Sequence, residues 1–432
     1  MKAKIIPIIL MVTFFSIIFC SCEDTTVREY KGYAPVYMSI KDLRSAVKIE
    51  QNVDLKNPGK IYFKDGFIFI VEEMKGIHVY DNSNPASPDK KAFIKLPGVV
   101  DISISGYNMY ADSYIDLVVL DLEDIENIHE VGRVPDILPY TVPATKDNNF
   151  PKAYVDKEKG IVTDWELRII REKIDVNPNP VPYPVYFYGG GLRYYDLANS
   201  SGASSSVSAN GVGIGGSMAR FGIKDKILYV VDQNTLKVFD ISNKVAPFKL
   251  RDVNPGWNIE TMFLRGNEMF LGTTTGMVIL DTSTPDLPYV KTFFTHARSC
   301  DPVIVDDTLA YITLRTGTIC GGVQNILDIV NIKDLTRPTS VISYSMTNPH
   351  GLCKNGDLLF ICDGSDGLKV YNAADPKKIL QNIIYTYPNI KAYDVIPIGN
   401  VLVLISDEGL FQYNYSDVKN ITLMSTIPVV KN

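Results

Sequence analysis

The residue types that carry most enzymatic chemistry have no familiar catalytic spacing in this chain. Only four histidines occur among 432 residues. The sequence contains no His-x-x-x-His metal pair, no Gly-x-Ser-x-Gly nucleophile turn and no paired-carboxylate motif. Glycine-rich stretches at 189–191 and 211–216 lack the Gly-Lys-Ser/Thr ending of a phosphate-binding loop. Short motifs therefore predict no particular reaction.

A set of polar residues instead lies close to the starts of successive apolar, strand-like segments. If those strands surround a common channel, the side chains converge at its mouth. The plain interpretation is a wet channel, because strand starts need hydrogen-bond partners. Sharper interpretations are a site for a small polar ligand or metal ion and, with least support, a catalytic pocket. The set comprises Asp101, Arg220, Glu260, Asp301, Arg315, His350 and Asp394.

Cysteines suggest one disulfide and no metal cluster. Cys300 and Cys320 lie in a single repeat unit, and a bridge between them would fix a local extension. Cys353 and Cys362 lie on neighbouring strands, where we expect them to be buried small apolar residues. No Cys-x-x-Cys spacing supports a zinc or redox site. No cofactor is predicted, and a metal ion bound in the channel stays an open alternative.

A recurring five-residue pattern defines the elements that would position these residues. Strand formers are followed by Asp or Asn, which can close an Asx-turn, in copies that start at positions 77, 117, 236, 277, 327, 368 and 410. The starts are 40, 119, 41, 50, 41 and 42 residues apart. A period near 41 with four strands is typical of propeller blades. The sequence predicts an all-β fold, a seven-bladed β-propeller of four-stranded antiparallel blades with one long irregular insertion.

The predicted propeller spans residues 46–432 as a single domain. A proline-rich insertion at 135–216 separates the second blade from the third, and we expect it to cap one mouth. Trp165 to Arg171 within it could be a short helix or an added strand. Ala46–Leu55 could close the ring by joining the last sheet, although Ile421–Ile427 already offers that sheet a fourth strand. The predicted blades are 58–97, 98–134, 217–258, 259–299, 300–349, 350–391 and 392–429.

These copies resemble the LVIVD repeat, which is found in secreted and lipid-anchored bacterial proteins. The resemblance covers roughly residues 35–429 and implies a propeller fold and an envelope location, but no established activity. Segments outside the five-residue pattern are also similar to the family, namely Gly160 to Trp165, Gly216 to Arg220, Ser299 to Val303, Tyr311 to Arg315, and Gly351-Leu352.

The first 22 residues are typical of an export signal. Lys2 and Lys4 precede an apolar stretch over residues 5–19, which is short for a membrane-spanning helix. Cys22 follows Ser21 and resembles the lipidated cysteine of a bacterial lipobox, although Phe19 departs from the usual leucine. The alternatives are an ordinary cleaved signal and an uncut anchor. Residues 23–45 are polar and read as a leash leading into the fold.

The net charge and the predicted cellular location together limit the possible functions. A net charge of −6 disfavours nucleic acid as the main partner. We expect a monomer attached to the bacterial outer membrane by its N-terminal lipid, on the periplasmic or the surface face. The favoured function is a non-enzymatic binding or scaffold propeller that contacts an envelope protein or a glycan. The alternative is a hydrolase or lyase that acts on an extracellular polymer through a polar site at the propeller mouth.

Overall fold

The protein is an all-β, seven-bladed propeller, as the repeat predicts. In this computed structural model, seven sheets succeed one another along the chain, and the four consecutive antiparallel strands that form each blade fall within one predicted blade. Each blade runs from an innermost strand outward through hairpins, so its third strand is the signature strand of the repeat. The structure describes residues 27–147, 149–173, 201–202, 214–215, 219–232, 234–256, 258–295, 302–316 and 324–431.

Strand bounds in the first three blades follow the repeat closely. Blade 1 comprises Pro58–Lys64, Phe67–Glu72, Gly76–Asp81 and Asp89–Lys95; blade 2, Ile102–Ser105, Asn108–Ser113, Asp116–Asp121 and His129–Val134; blade 3, Phe221–Lys224, Ile227–Asp232, Thr235–Asp240 and Phe248–Val253.

The remaining four blades repeat the same order. Blade 4 comprises Ile259–Arg265, Glu268–Thr273, Gly276–Asp281 and Tyr289–Thr295; blade 5, Val303–Val305, Leu309–Leu314, Ile326–Asn331 and Thr339–Ser345; blade 6, Leu352–Asn355, Leu358–Cys362, Leu368–Asn372 and Ile383–Tyr387; blade 7, Asp394–Ile398, Val401–Ser406, Gly409–Asn414 and Thr422–Pro428.

The terminal Asp or Asn of the signature strand closes the predicted turn. Oδ1 of Asp81 accepts the backbone N–H of Ser83 at 2.9 Å, and Oδ1 of Asp240 accepts that of Ser242 at 2.7 Å. This bond fixes the reversal into the outer strand, because it replaces a backbone turn bond. The same Asx geometry recurs at Asn372, whose Oδ1 lies 2.9 Å from the N–H of Ala374.

Apolar side chains fill the seams between neighbouring sheets. Blades 1 and 2 share a cluster that includes Phe69 and Ile104, and blades 3 and 4 share one that includes Tyr229 and Met269. A strand of one blade has alternate residues on opposite faces, so a single blade contributes to two seams. Similar clusters occupy the other seams, including the one between blades 7 and 1.

The ring closes without exchange of a strand. Blade 7 uses Thr422–Pro428 as its own outer strand, as one of the two alternatives held. The other alternative was wrong, because the predicted strand at 46–55 shortens to Lys48–Glu50 and adds to the outer edge of blade 1. The closing seam is held instead by side chains. The amides of Asn82 and Gln412 bond reciprocally at 2.9 and 2.6 Å, and Tyr393 donates to the carbonyl of Pro58 at 2.9 Å.

Residues 27–44 are folded, so the expected leash over 23–45 was wrong for them. Val27–Met38 pairs antiparallel with Ile161–Lys173 of the insertion, which confirms the added-strand interpretation of that segment. We call this pair the N-terminal ribbon. A short helix, Ile40–Arg44, follows it and is capped by Ser39, whose hydroxyl accepts the N–H of Asp42.

The ribbon and helix are fastened to blades 1 and 2. Leu43 and Ile161 pack against Tyr114 and Ile115, which form the turn before the signature strand of blade 2. Arg44 makes two bonds to the fully buried Asp116, at 2.9 and 3.0 Å. Polar composition hid this arrangement, since the far part of the ribbon is largely exposed.

Two further short strands of the insertion add to inner edges. Ser201–Gly202 pairs in parallel with the inner strand of blade 7, and Ile214–Gly215 pairs antiparallel with that of blade 1. Among the described residues, the helical turns besides the capped helix are Lys157–Lys159, Gly364–Asp366 and Ile379–Asn382. Across the described ranges, no helix has the length and apolar character needed to cross a bilayer.

Candidate functional site

Asp101 is the centre of the best-defined polar cluster at the channel mouth. It lies at the start of the inner strand of blade 2 and accepts Lys60 Nζ from blade 1 at 2.9 Å. It also accepts the backbone N–H groups of Arg220 and Phe221 at the start of blade 3, the latter at 3.3 Å. A single carboxylate therefore joins three consecutive blades. We call Lys60, Asp101, Asp112 and Arg220 the Asp101 cluster.

Asp112 supports this cluster from the neighbouring strand. Because Ile102 pairs with Ala111, the end of the second strand of blade 2 lies beside Asp101. Oδ1 of Asp112 accepts the N–H groups of Val100 and Asp101 at 2.7 and 3.0 Å. Burial raises the pKa of Asp112 to about 6, although the two backbone bonds oppose the rise.

Lys60 is largely buried between blades 1 and 2. Desolvation lowers the pKa of its ammonium group below the ordinary value; Asp101 opposes this effect, and the nearby charge of Arg220 adds to it. Lys60, with its lowered pKa, and Asp112, with its raised pKa, belong to the same cluster, and perturbed groups of this kind are frequent in functional sites. The cluster therefore has titratable groups as well as a structural role.

A small pocket opens beside the cluster. Asp101, Asp112 and Arg220 contribute to its wall, and Leu138 and Pro139 from the start of the insertion close part of it. This agrees with an insertion that lies over one end of the propeller, although a cap over the whole mouth stays a prediction. His350 is not among the pocket residues.

His350 and Asp394 belong to a second group of buried residues in blades 5 to 7. The backbone N–H of His350 donates to the carbonyl of Cys362 at 2.7 Å, and its carbonyl accepts Thr313 Oγ1 at 2.7 Å. Oδ1 of Asp394 accepts the N–H of Val395 at 2.6 Å. These polar residues begin inner strands as the sequence predicts, and they take part in strand-start bonding.

The other predicted residues are less informative. Glu260 lies half-buried in the inner strand of blade 4, and Arg315 is buried just after the second strand of blade 5. No ligand-binding role is assigned to either by its surroundings. Asp301, the Cys300–Cys320 pair and the proposed lipidation residue Cys22 lie outside the described residues.

Cys353 and Cys362 are free and buried, as predicted. Burial raises the pKa of both thiols well above the usual value, and Asp394 adds to the rise. They are consequently unreactive packing residues.

The described residues form no metal centre. Within the described ranges, no three His, Cys, Asp or Glu side chains come together as a metal site requires. Lys60 Nζ occupies the position beside Asp101 that a cation would take. Whether the channel binds a metal stays an open prediction.

Sequence reasoning missed a buried acid–base pair that recurs in three blades. In each case an acidic residue at the end of the second strand, or directly after it in blade 6, contacts the second residue of the five-residue pattern, and no motif marks this geometry. Only the hairpin register brings the two together. The pairs are Glu72–His78 at 2.9 Å, Asp232–Lys237 at 3.1 Å and Asp363–Lys369 at 2.6 Å.

Comparison with known proteins supports the repeat. A family model of the LVIVD repeat matches residues 215–253, which contain all four strands of blade 3. This match and the seven-bladed fold show that the chain resembles LVIVD-repeat β-propeller proteins. No curated protein matches the chain by sequence.

Solved structures agree on the architecture. The periplasmic gluconolactonase PpgL of Pseudomonas aeruginosa is 8% identical, with 86% of this chain and 97% of that chain covered, at a TM-score of 0.52. A Lactobacillus plantarum protein is 9% identical, covering 79% and 88%, at 0.50. BamB from Moraxella catarrhalis is 10% identical, covering 80% and 81%, at 0.44. At such identities the likeness to PpgL and to the Lactobacillus plantarum protein shows the fold alone.

Proposed function

We propose that this chain is a non-enzymatic binding propeller that holds a protein partner at the cell envelope. One observation carries the proposal: the best-defined polar groups of the channel mouth are engaged in joining blades. The carboxylate of Asp101 is bonded to Lys60 and to two backbone N–H groups of blade 3. Groups engaged in this way stabilise the ring and offer little to a substrate.

The outer surface supports the same proposal, because outer strands and turns expose apolar side chains. Exposed apolar side chains, aromatic ones above all, suit contact with a partner protein. Blades 3 and 4 carry such residues on their outer strands and on the turns that lead into them. They are Val245, Phe248, Leu287, Tyr289, Val290 and Phe293.

We further propose that Cys22 carries the lipid that holds the protein at the outer membrane. Only residues 23–26 separate this cysteine from the ribbon strand that begins at Val27. A lipid at Cys22 would therefore be joined to the exposed end of the ribbon, whose other end is fastened to blades 1 and 2.

Replacement of Cys22 tests the tether. The Cys22→Ser variant should move from the membrane fraction to the soluble fraction of the envelope and lose incorporation of labelled fatty acid. Cys20→Ser is the matched control and should keep both properties. Unchanged fatty-acid labelling of the Cys22→Ser variant would contradict lipidation at this residue.

Partner binding is tested with the purified full chain. We expect it to retain one envelope protein in about stoichiometric amount and to release no oligosaccharide from envelope polysaccharides. Asp101→Asn should lower the thermal midpoint yet retain the partner, because Asp101 acts between blades. Retention of polysaccharide alone, or loss of the partner by a folded Asp101→Asn variant, would contradict the proposal.

The second candidate, a hydrolase or lyase, is favoured by one observation. Asp112, with a pKa raised to about 6, shares a pocket with Arg220 and lies in a cluster with Lys60. Turnover of an extracellular polymer that Asp112→Asn abolishes would favour this candidate over the first.

A further inference from the structure

Blade 1 shows how this fold fills the outer edge of a blade. An outer strand has one row of backbone groups without a neighbouring strand, which can accept a further strand. In blade 1 this row pairs with Lys48–Glu50, in the register Lys48 to Lys95, Ile49 to Ile94 and Glu50 to Phe93. The chain itself therefore demonstrates fifth-strand addition.

Blade 4 repeats the receiving surface of blade 1. Phe93 lies opposite His78, the second residue of the five-residue pattern, and Phe293 lies opposite Val278 at the same position of the pattern. Each ring covers the glycine that opens the strand. An added Cβ would come within 2.5 Å of the Phe93 ring at Gly76 and within 2.9 Å of the Phe293 ring at Gly276.

The remaining five blades have no aromatic residue at this position. Their hairpin registers place charged or small polar side chains opposite the second residue of the five-residue pattern. These residues are Arg133, Asp252, Ser343, Thr386 and Thr426.

Coverage separates the two matching blades. Phe93 is 4% exposed beneath Lys48–Glu50, whereas Phe293 is 44% exposed. In the part of the chain that the structure describes, no strand pairs with the outer row of Tyr289–Thr295. Tyr289, at 57%, and Val290 extend the exposed apolar surface toward the start of this strand.

We propose that the outer edge of blade 4 receives an extended segment of the partner protein, which adds as an antiparallel fifth strand. This inference rests on the proposed binding function and states where and how the partner docks. Main-chain bonds to the edge give affinity, and side-chain pockets give selectivity.

The receiving surface also defines the chemistry of the segment. Ile49 lies opposite Ile94, so an aliphatic side chain is expected opposite the equivalent Phe294. Oε1 of Glu50 lies 3.8 Å from Nζ of Lys95, which is diagonally across the pair of strands, but the residue of blade 4 equivalent to Lys95 is the uncharged Thr295. The partner segment should therefore have aliphatic residues at alternate positions, as residues 46–55 have, and needs no acidic residue in the place of Glu50.

A synthetic peptide of residues 46–55 serves as the probe for the full chain. We expect the peptide to slow amide hydrogen exchange over 289–295. Phe293→Asp should weaken binding of the peptide at least tenfold, because a charged side chain would replace the aromatic ring at the outer edge of blade 4. Thr426→Asp, at the equivalent position of blade 7, is the matched control and should bind like the unmodified chain. Val290→Lys and its blade 7 counterpart Leu423→Lys form a second pair with the same expectation.

Each other result overturns the inference. No protection of 289–295 at millimolar peptide, or equal weakening by both members of a pair, would exclude docking at this edge. Self-association that Phe293→Asp abolishes would make a second copy the occupant, and protection of 289–295 without peptide that is lost on deleting residues 174–218 would make it this chain's own segment. Envelope partner retained by Phe293→Asp would place docking elsewhere, while the proposed binding function would still hold.

Discussion

Asp112 is a carboxyl group whose charged form is disfavoured by the fold. Its two backbone donors do not compensate for its removal from water, so its pKa rises to about 6. Between pH 4 and 6 the native state therefore binds more protons than the unfolded chain, and stability falls as pH rises through this window. Above about pH 6, Asp112 is ionised in the native state, and the full free-energy cost of burying its charge remains.

Asp112→Asn tests this cost. The amide can still accept the two N–H bonds and does not ionise. The difference in unfolding free energy between variant and wild type should shift in favour of the variant by roughly 2–3 kcal/mol from pH 4 to pH 7. Urea unfolding at each pH measures it, with the exposed Glu123→Gln as control. A difference that is constant across this range would contradict the assignment.

Some of the site residues could be predicted from the sequence and others could not. Asp101 and Arg220 could be placed at the starts of inner strands because the repeat spacing predicts where each inner strand begins. Lys60 and Asp112 were missed because they lie within strands, and only the register and the packing of blade 1 on blade 2 direct them to Asp101. Cross-blade partners do not appear in the spacing of one chain.

At the scale of elements, the helix Ile40–Arg44 depends on one buried carboxylate. Burial acts to raise the pKa of Asp116, but bonds from Arg44, from the N–H of Asp136 and from Arg133 outweigh it, and the net pKa is lowered. The two arginines thus keep Asp116 ionised in a fully buried position. The N-terminal ribbon was misread as a leash for a related reason, since its partner strand lies far along the sequence.

Arg44→Ala should loosen the attachment of the ribbon. Asp116 would retain Arg133 but lose two bonds, at a cost of about 1–3 kcal/mol. Limited proteolysis should cleave within residues 27–44 several times faster than in the unmodified chain. Lys41→Ala, on the exposed side of the same helix, is the control, and equal cleavage rates in both variants would contradict the prediction.

The closing seam provides a prediction for the ring. Gln412 is buried and bonds with Asn82, so Gln412→Leu leaves a buried amide unsatisfied and should cost about 1–3 kcal/mol. The double variant Asn82→Leu with Gln412→Leu should recover part of this loss, because both polar groups are then removed. Thermal unfolding measures the stability of the three variants. A double variant that loses more stability than the two single variants lose together would contradict the prediction.

For the whole molecule, the number of blades was readable because the repeat counts them. The way in which the ring closes could not be predicted, because the same alternation of apolar and polar residues lets a short edge strand join either the first sheet or the last. Packing decides, since Ile49 adds to the apolar seam of blades 1 and 2.

The N-terminal ribbon has a consequence for the order of assembly. Val27–Met38 is synthesised early. Its partner, Ile161–Lys173, is synthesised only after all strands of blades 1 and 2. The first strand must therefore wait in an unpaired state while later sequence folds beside it, which makes this contact slow to form. A chain delivered from its N-terminus would have an exposed, aggregation-prone edge during that interval, and a chaperone that shields extended segments would act there.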